Sequence, residues 1–135
     1  MSTMNQLGKY LPYPEYKDSG LSWLGDIPTN WEIKKLKYLG DAIIGLTYSP
    51  DDVVGEDDGI LVLRSSNIQS RKLVFDDNVY VSRLIPSKLM VKTGDILICA
   101  RNGSRALIGK NAVIDESAEG SSFGAFMSVF RSQHN

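Results

Sequence analysis

The sequence predicts an α+β domain, a twisted and mostly antiparallel or mixed sheet carrying a few short peripheral helices. Three observations predict it. Short runs of Val, Ile, Leu and Phe recur along the chain, each bounded by Gly, Asn, Asp or Ser, which is the pattern of strands separated by turns. Only two short stretches, one around Ile33 to Ile43 and one opened by Pro86, read as helical. A chain of 135 residues, 42% hydrophobic and 23% charged, has the size and composition of one globular domain.

Residues 1–22 read as an extended arm. They lack periodicity, contain Gly8, Pro12, Pro14 and Gly20, and carry Tyr10, Tyr13 and Tyr16, so neither helix nor strand is expected there. Residues 23–135 read as a single domain. Trp23 and Trp31 bracket Pro28, and the large area of an indole predicts that both anchor the edge of the core. The spacing of Ile33, Leu36, Leu39 and Ile43 favours a helix running to about Ile44, with a strand through Trp31 to Leu36 as the alternative. On the helical reading Lys34, Lys35 and Lys37 form the solvated face.

Gly45 to Pro50 closes that element, and the acidic run Asp51 to Gly59 follows. Its carboxylates lack the alternating ligand pattern of a calcium loop, so it reads as a solvated loop. Ile60 to Ile68 makes a strand whose end carries Arg64, Ser65, Ser66 and Asn67. Lys72 to Ser82 supplies two short strands around Asp76-Asp77-Asn78, a hairpin turn by composition. Pro86 opens a short helix. Met90 to Ile114 holds the most continuous apolar run, Ile96 to Ala100, then the polar loop Arg101-Asn102-Gly103-Ser104-Arg105 and a returning strand broken at Gly109. Phe123, Phe126, Met127, Val129 and Phe130 form a last core strand close to the end of the chain, which predicts a domain incomplete at its C-terminus.

The net charge of −1 conceals a segregation. Residues 60–114 carry nine Lys or Arg against three acids, whereas residues 1–59 carry five against ten. This basic middle block suits a face directed at a polyanion, and scattered solubilising charge is the other reading. The loop after Ala100 offers two arginines, an amide and a hydroxyl from a strand end, a set that suits phosphates and base edges. An ordinary hairpin with a solvated polar tip explains the same residues.

Several chemistries are excluded. With one His, His134, and one Cys, Cys99, no Cys/His metal cluster or internal disulfide can form within the chain, and Cys99 in its apolar run reads as a buried thiol. The run from Gly103 to Asn111 has one residue too many between its glycines for a phosphate-binding loop and Asn111 in place of Ser or Thr. No GxGxxG or Asn-Pro-Pro-aromatic motif occurs. Binding, without cofactor, metal or catalysis, is the expectation. No apolar stretch approaches the roughly 20 residues that span a bilayer, and MSTMNQLGKY has no signal-peptide pattern, so a cytoplasmic location is expected.

The segments YPEYKDSGLSWLGDIPTNWEIKKLKYL, GLTYS, ILVLRSSNI, VKTGDILICARNGSRALIGKNAVI and FGAFMSVFR, in this order, resemble the specificity (S) subunit of type I restriction-modification systems, over most of its first target recognition domain. The resemblance implies one half-site reader of a bipartite DNA sequence, with separate methyltransferase (M) and restriction (R) subunits supplying methylation and cleavage. It lacks a counterpart here for the second recognition domain and the spacer helices of that family. On this basis double-stranded DNA is the expected ligand, read through the major groove. Arg101, Asn102, Ser104 and Arg105 are the candidate readers, with Arg64, Ser66 and Asn67 beside them. Arg71, Lys72, Lys88, Lys92 and Lys110 are the candidate phosphate contacts. The rival expectation is an interaction module that no longer binds DNA and docks on a methyltransferase subunit through its aromatic arm.

Overall fold

A computed structural model describes residues 10–133; His134 lies outside them. The chain divides into two compact units, Met1–Lys35 and Leu36–Asn135.

In the first unit, β1 (Tyr16–Asp18) and β2 (Asp26–Pro28) form an antiparallel hairpin, so part of the expected arm is a strand. Its connection is set locally. The Gly20 amide donates to Asp18 Oδ1 at 2.9 Å, and Gly20 and Gly25 take left-handed φ values of 80° and 73°. Neither tryptophan anchors a core: Trp23 is 78% exposed and Trp31 49%. The hairpin buries only Ile27 and Pro28, which is too little apolar wall to cover an indole, and Trp31 instead meets Tyr13 edge to face at 5.7 Å.

The second unit is built from two four-stranded sheets. β3 (Gly40–Ile44), β9 (Ile96–Cys99), β10 (Asn111–Val113) and β12 (Met127–Ser132) lie in the order β10-β9-β12-β3 and are antiparallel throughout. β4 (Val53–Val54), β5 (Ile60–Leu63), β8 (Val79–Val81) and β11 (Ser122–Phe123) lie in the order β11-β5-β8-β4, with β11 parallel to β5. A small hairpin pairs β6 (Ile68–Gln69) with β7 (Lys72–Leu73). The mixed sheets agree with the α+β expectation, but the only helical elements among the described residues are single 3-10 turns, including Ser87–Leu89 after Pro86.

One core joins the sheets. β9 alternates, turning Leu97 and Cys99 inward, and β12 turns Met127 and Val129 to the same side; Leu63, Ile68 and Phe123 join them from the other strands. Cys99 is buried, as expected. Where the sheets meet, the Leu46 amide donates to the Phe123 carbonyl at 2.7 Å, and a Cβ on Gly45 would collide with the Gly124 carbonyl, so the close approach requires glycine.

Three local readings give way to long-range pairing. The helix expected to about Ile44 is a 3-10 turn, Leu36–Tyr38, followed by β3, because five residue pairs with β12 outweigh a helical spacing whose Ile33 and Leu36 stay exposed. The strands around Asp76-Asp77-Asn78 do not pair with each other: β7 turns back on β6, and β8 joins β5 and β4. Ala106 and Leu107, read as strand, lie in the 3-10 turn Arg105–Leu107 with Ile108 capping it, and Gly109 at φ 93° resets the chain before β10.

Candidate functional site

The two polar segments singled out in the sequence follow β5 and β9, one from each sheet, and the fold brings these strand ends together. Asn102 Nδ2 donates to Ser65 Oγ at 3.3 Å, and Lys110 Nζ donates to the Ser65 carbonyl at 3.2 Å. The amides of Ala100 and Arg101 both donate to the Phe126 carbonyl, at 3.1 and 3.0 Å, which fixes the point where the loop leaves β9. Arg64, Ser65, Ser66, Arg101 and Asn102 thereby share the rim of one cavity of about 590 Å³. Its walls are apolar, with Leu46, Tyr48, Val53, Val79 and Met127 among them. Phe126, 63% exposed, is part of the lining, and the Arg101 guanidinium stands 5.4 Å from its ring centroid. A cation over an exposed ring is stabilised by about 0.5–1 kcal/mol, enough to bias Arg101 toward one orientation.

The rest of the loop is less constrained. Ser104 and Arg105 are exposed, and the Ser104 amide donates to Asn102 Oδ1 at 2.9 Å, which orients the amide group. Arg64 is gripped from one side: Nη2 donates to the Asp77 carbonyl at 3.0 Å and lies 3.2 Å from its carboxylate. Arg64 Nε and Ser66 Oγ are shielded and have no hydrogen-bond partner.

Asn67 is placed differently from its expected role. It is 0% exposed, its Oδ1 accepts from the Arg64 amide at 2.9 Å, and its Nδ2 donates to the Val74 carbonyl at 2.9 Å and to Asn78 Oδ1 at 3.1 Å. With its amide saturated inside the protein, Asn67 fastens the segment from Val74 to Asn78 beneath Arg64 and presents nothing to a ligand.

Of the candidate phosphate contacts, Lys110 is bonded to this site. Arg71 and Lys72 are exposed on the β6–β7 hairpin, whose two turn residues, Ser70 and Arg71, hold left-handed φ values of 51° and 63° without being glycine. Lys88 and Lys92 stand before β9, whereas the cavity lies beyond its far end. Near them sits a cluster that the sequence reading missed. Asp95, with a side chain 3% exposed, accepts from Arg131 Nε at 3.0 Å, from Arg131 Nη2 at 2.8 Å and from the Lys92 amide at 2.8 Å. Arg131 also donates to the Lys88 and Met90 carbonyls. Hydrogen bonding to Asp95 raises the Arg131 pKa above its ordinary value against the opposing cost of burial. This cluster is structural, tying the approach to β9 onto β12.

No family model matches the chain. Over 110 residues, 79% of this chain, it is 32% identical to the type I restriction enzyme EcoKI specificity subunit of Escherichia coli (strain K12). Over a stretch of the same length it is 30% identical to the type I restriction enzyme StySPI specificity subunit of Salmonella potsdam. The chain is related to type I restriction specificity subunits. It spans 24% of the length of each of these two. The family suggested by the sequence motifs is therefore borne out. In this specificity-subunit relative the polar rim built by Arg64, Ser65, Ser66, Arg101 and Asn102 is the candidate functional site. Ser65, Phe126 and Asp77 belong to its structure and were not among the residues expected there. Phe126 lay hidden in an apolar run, and only its exposure sets it apart from its core neighbours. No helix among the described residues is long and apolar enough to cross a membrane.

Proposed function

We propose that this chain recognises one half of a bipartite double-stranded DNA target, as part of the specificity subunit of a type I restriction-modification complex whose other subunits carry the chemistry. The observation that carries the reading is the union of two strand ends from separate sheets through Ser65, which assembles Arg64, Ser66, Arg101, Asn102 and Lys110 at one edge. The relationship to specificity subunits supports it. In this reading Arg101, Asn102, Ser104 and Arg105 meet base edges in the major groove, where all four base pairs are distinguishable. Arg64 and Ser66 flank them, and Asn67 supports them from below. Arg71, Lys72 and Lys110 contact phosphates, with Lys88 and Lys92 peripheral. Methyltransferase and restriction subunits are the protein partners.

A second reading has its own observation. The exposed Trp23, Trp31 and Tyr10 of the first unit favour docking on a methyltransferase subunit without DNA recognition. Selection of bound duplexes from a randomised pool separates the two. An enriched motif supports recognition, and an unenriched pool with retained methyltransferase binding supports docking. Within the recognition reading, Arg101→Ala and Arg105→Ala are expected to cost about 1–3 kcal/mol each on the selected duplex and little on a scrambled one. Lys110→Ala is expected to weaken both alike and lower the salt slope by about one. Equal losses on both duplexes for the two arginine variants would return the loop to a solvated hairpin tip.

A further inference from the structure

We infer that the β6–β7 hairpin is a short, fixed finger for the DNA backbone, held in a turn unfavourable to the fold so that Arg71 stands at its tip and binds a phosphodiester. The inference deepens the DNA-recognition reading above and rests on it. Register defines the turn. Ile68 pairs with Leu73 and Gln69 with Lys72, which leaves Ser70 and Arg71 as a two-residue loop. Both have positive φ, 51° and 63°, as a type I′ turn requires. Such a turn favours Asn-Gly, Asp-Gly or Gly-Gly, because in the left-handed region a Cβ crowds the following carbonyl oxygen. Ser70 and Arg71 are the only non-glycine residues with positive φ among the described residues, and they are adjacent. Strain of this kind collects where a residue is kept for binding or catalysis at some cost to the fold.

What the strained pair carries points to the ligand. Arg71 and Lys72 are exposed, and their side chains form no hydrogen bond or ion pair among the described residues. No acid occurs between Arg64 and Phe75 to neutralise them. Gln69, the one amide of the hairpin, already donates from Nε2 to the Ser66 carbonyl at 3.4 Å, so the tip offers charge without a side-chain amide to read a base. The stem is fastened to the candidate site. Ile68 is buried, Leu73 packs on the core, and the hairpin closes where the Val74 amide donates to the Asn67 carbonyl at 2.8 Å and Asn67 Nδ2 to the Val74 carbonyl at 2.9 Å. The 3-10 turn Ser65–Asn67, from which β6 starts, is the one that Lys110 also bonds through the Ser65 carbonyl. A two-pair stem anchored in this way keeps Arg71 at a set distance from the rim, and little order is lost when it meets a phosphate.

The test pairs thermal midpoints with salt titrations of duplex binding, on selected and scrambled duplexes, for the full chain in four versions: the natural sequence, Arg71→Gly, Ser70→Asn and Lys35→Ala. Arg71→Gly is expected to raise the midpoint by about 3 °C. It is also expected to weaken both duplexes alike, about fivefold at physiological salt, with the salt slope lowered by about one. Ser70→Asn relaxes the turn and keeps the cation, so the midpoint rises while affinity and slope stay. Lys35→Ala removes the same charge outside the hairpin and leaves the slope unchanged. A role confined to the fold would move the midpoint and not the slope. Unchanged binding by Arg71→Gly, a midpoint for it at or below that of the natural chain, a loss confined to the selected duplex, or an equal fall in slope for Lys35→Ala each overturns the inference and leaves DNA recognition standing. A natural chain that binds no duplex even at low salt overturns recognition itself, and this inference with it.

Discussion

Replacing Asp95 by alanine removes the carboxylate at the centre of the cluster before β9. Three hydrogen bonds are lost, from Arg131 Nε and Nη2 and from the Lys92 amide, all at 3.0 Å or less. Deleting one partner of a buried ion pair costs about 3–5 kcal/mol, because the other charge is left without compensation. Two features place Asp95→Ala at the lower end. The Arg131 side chain keeps 18% exposure, and it retains the Lys88 and Met90 carbonyls as acceptors. The expected loss is therefore about 3 kcal/mol, which for a chain of this size lowers the thermal midpoint by about 10 °C. Thermal and urea unfolding followed by far-ultraviolet circular dichroism, which reports on the sheets directly, measure it. The Asp95→Ala/Arg131→Met double variant is expected to recover part of the loss, since a neutral side chain of similar length removes the stranded charge. A midpoint for Asp95→Ala within about 0.5 kcal/mol of the parent would show that the pair behaves as a screened surface contact, and the assignment of this cluster as the tie between β9 and β12 would fall.

Asn67→Ala is expected to cost about 2–4 kcal/mol, because it strands the Arg64 amide and the Val74 carbonyl in a buried site; chemical denaturation measures it, and a neutral result would return Asn67 to the ligand-facing set. Trp31→Ala is expected to change stability by no more than about 1 kcal/mol, since half of its surface is already in water; a loss of several kcal/mol in the same assay would contradict its exposure. Asp115 caps the turn Glu116–Ala118, and hydrogen bonds from the Ser117 hydroxyl and amide depress its pKa below the ordinary carboxylate value. A depressed folded-state pKa contributes stability above the unfolded-state value of 3.8 and loses it as pH falls through the folded-state value. The natural chain is thus expected to exceed Asp115→Ala in thermal midpoint at neutral pH by more than it does well below pH 3.8, and a gap independent of pH would show that the carboxylate charge plays no part.

The sequence by itself determined where strands form when the apolar run is continuous or alternating. β5 and β9 fall in the runs that begin at Ile60 and Ile96, and β12 takes up the apolar stretch from Met127, because a run with one inward face needs no distant information to be extended, although the strand expected through Ile68 stops at Leu63 and gives way to the turn Ser65–Asn67. It also determined the loop beyond Ala100, the break at Gly109 and the family, all of which are written in contiguous residues. Tertiary structure decided everything that depended on a partner. The pairing of β3 with β12 overrode a helical spacing, and β8 chose β5 and β4 over its neighbour β7. The two indoles stayed in solvent because no apolar wall reaches them, a fact about their surroundings that composition does not carry. Asn67 and Ser66 are adjacent polar residues with the same local signal, yet one is saturated in the interior and the other sits at the cavity rim. The joining of the two strand ends through Ser65 arises where the two sheets meet, and that of Asp95 to Arg131 across 36 residues from the pairing of β9 with β12 within one sheet. Such contacts follow from the meeting of surfaces distant in sequence, and no periodicity along the chain encodes them.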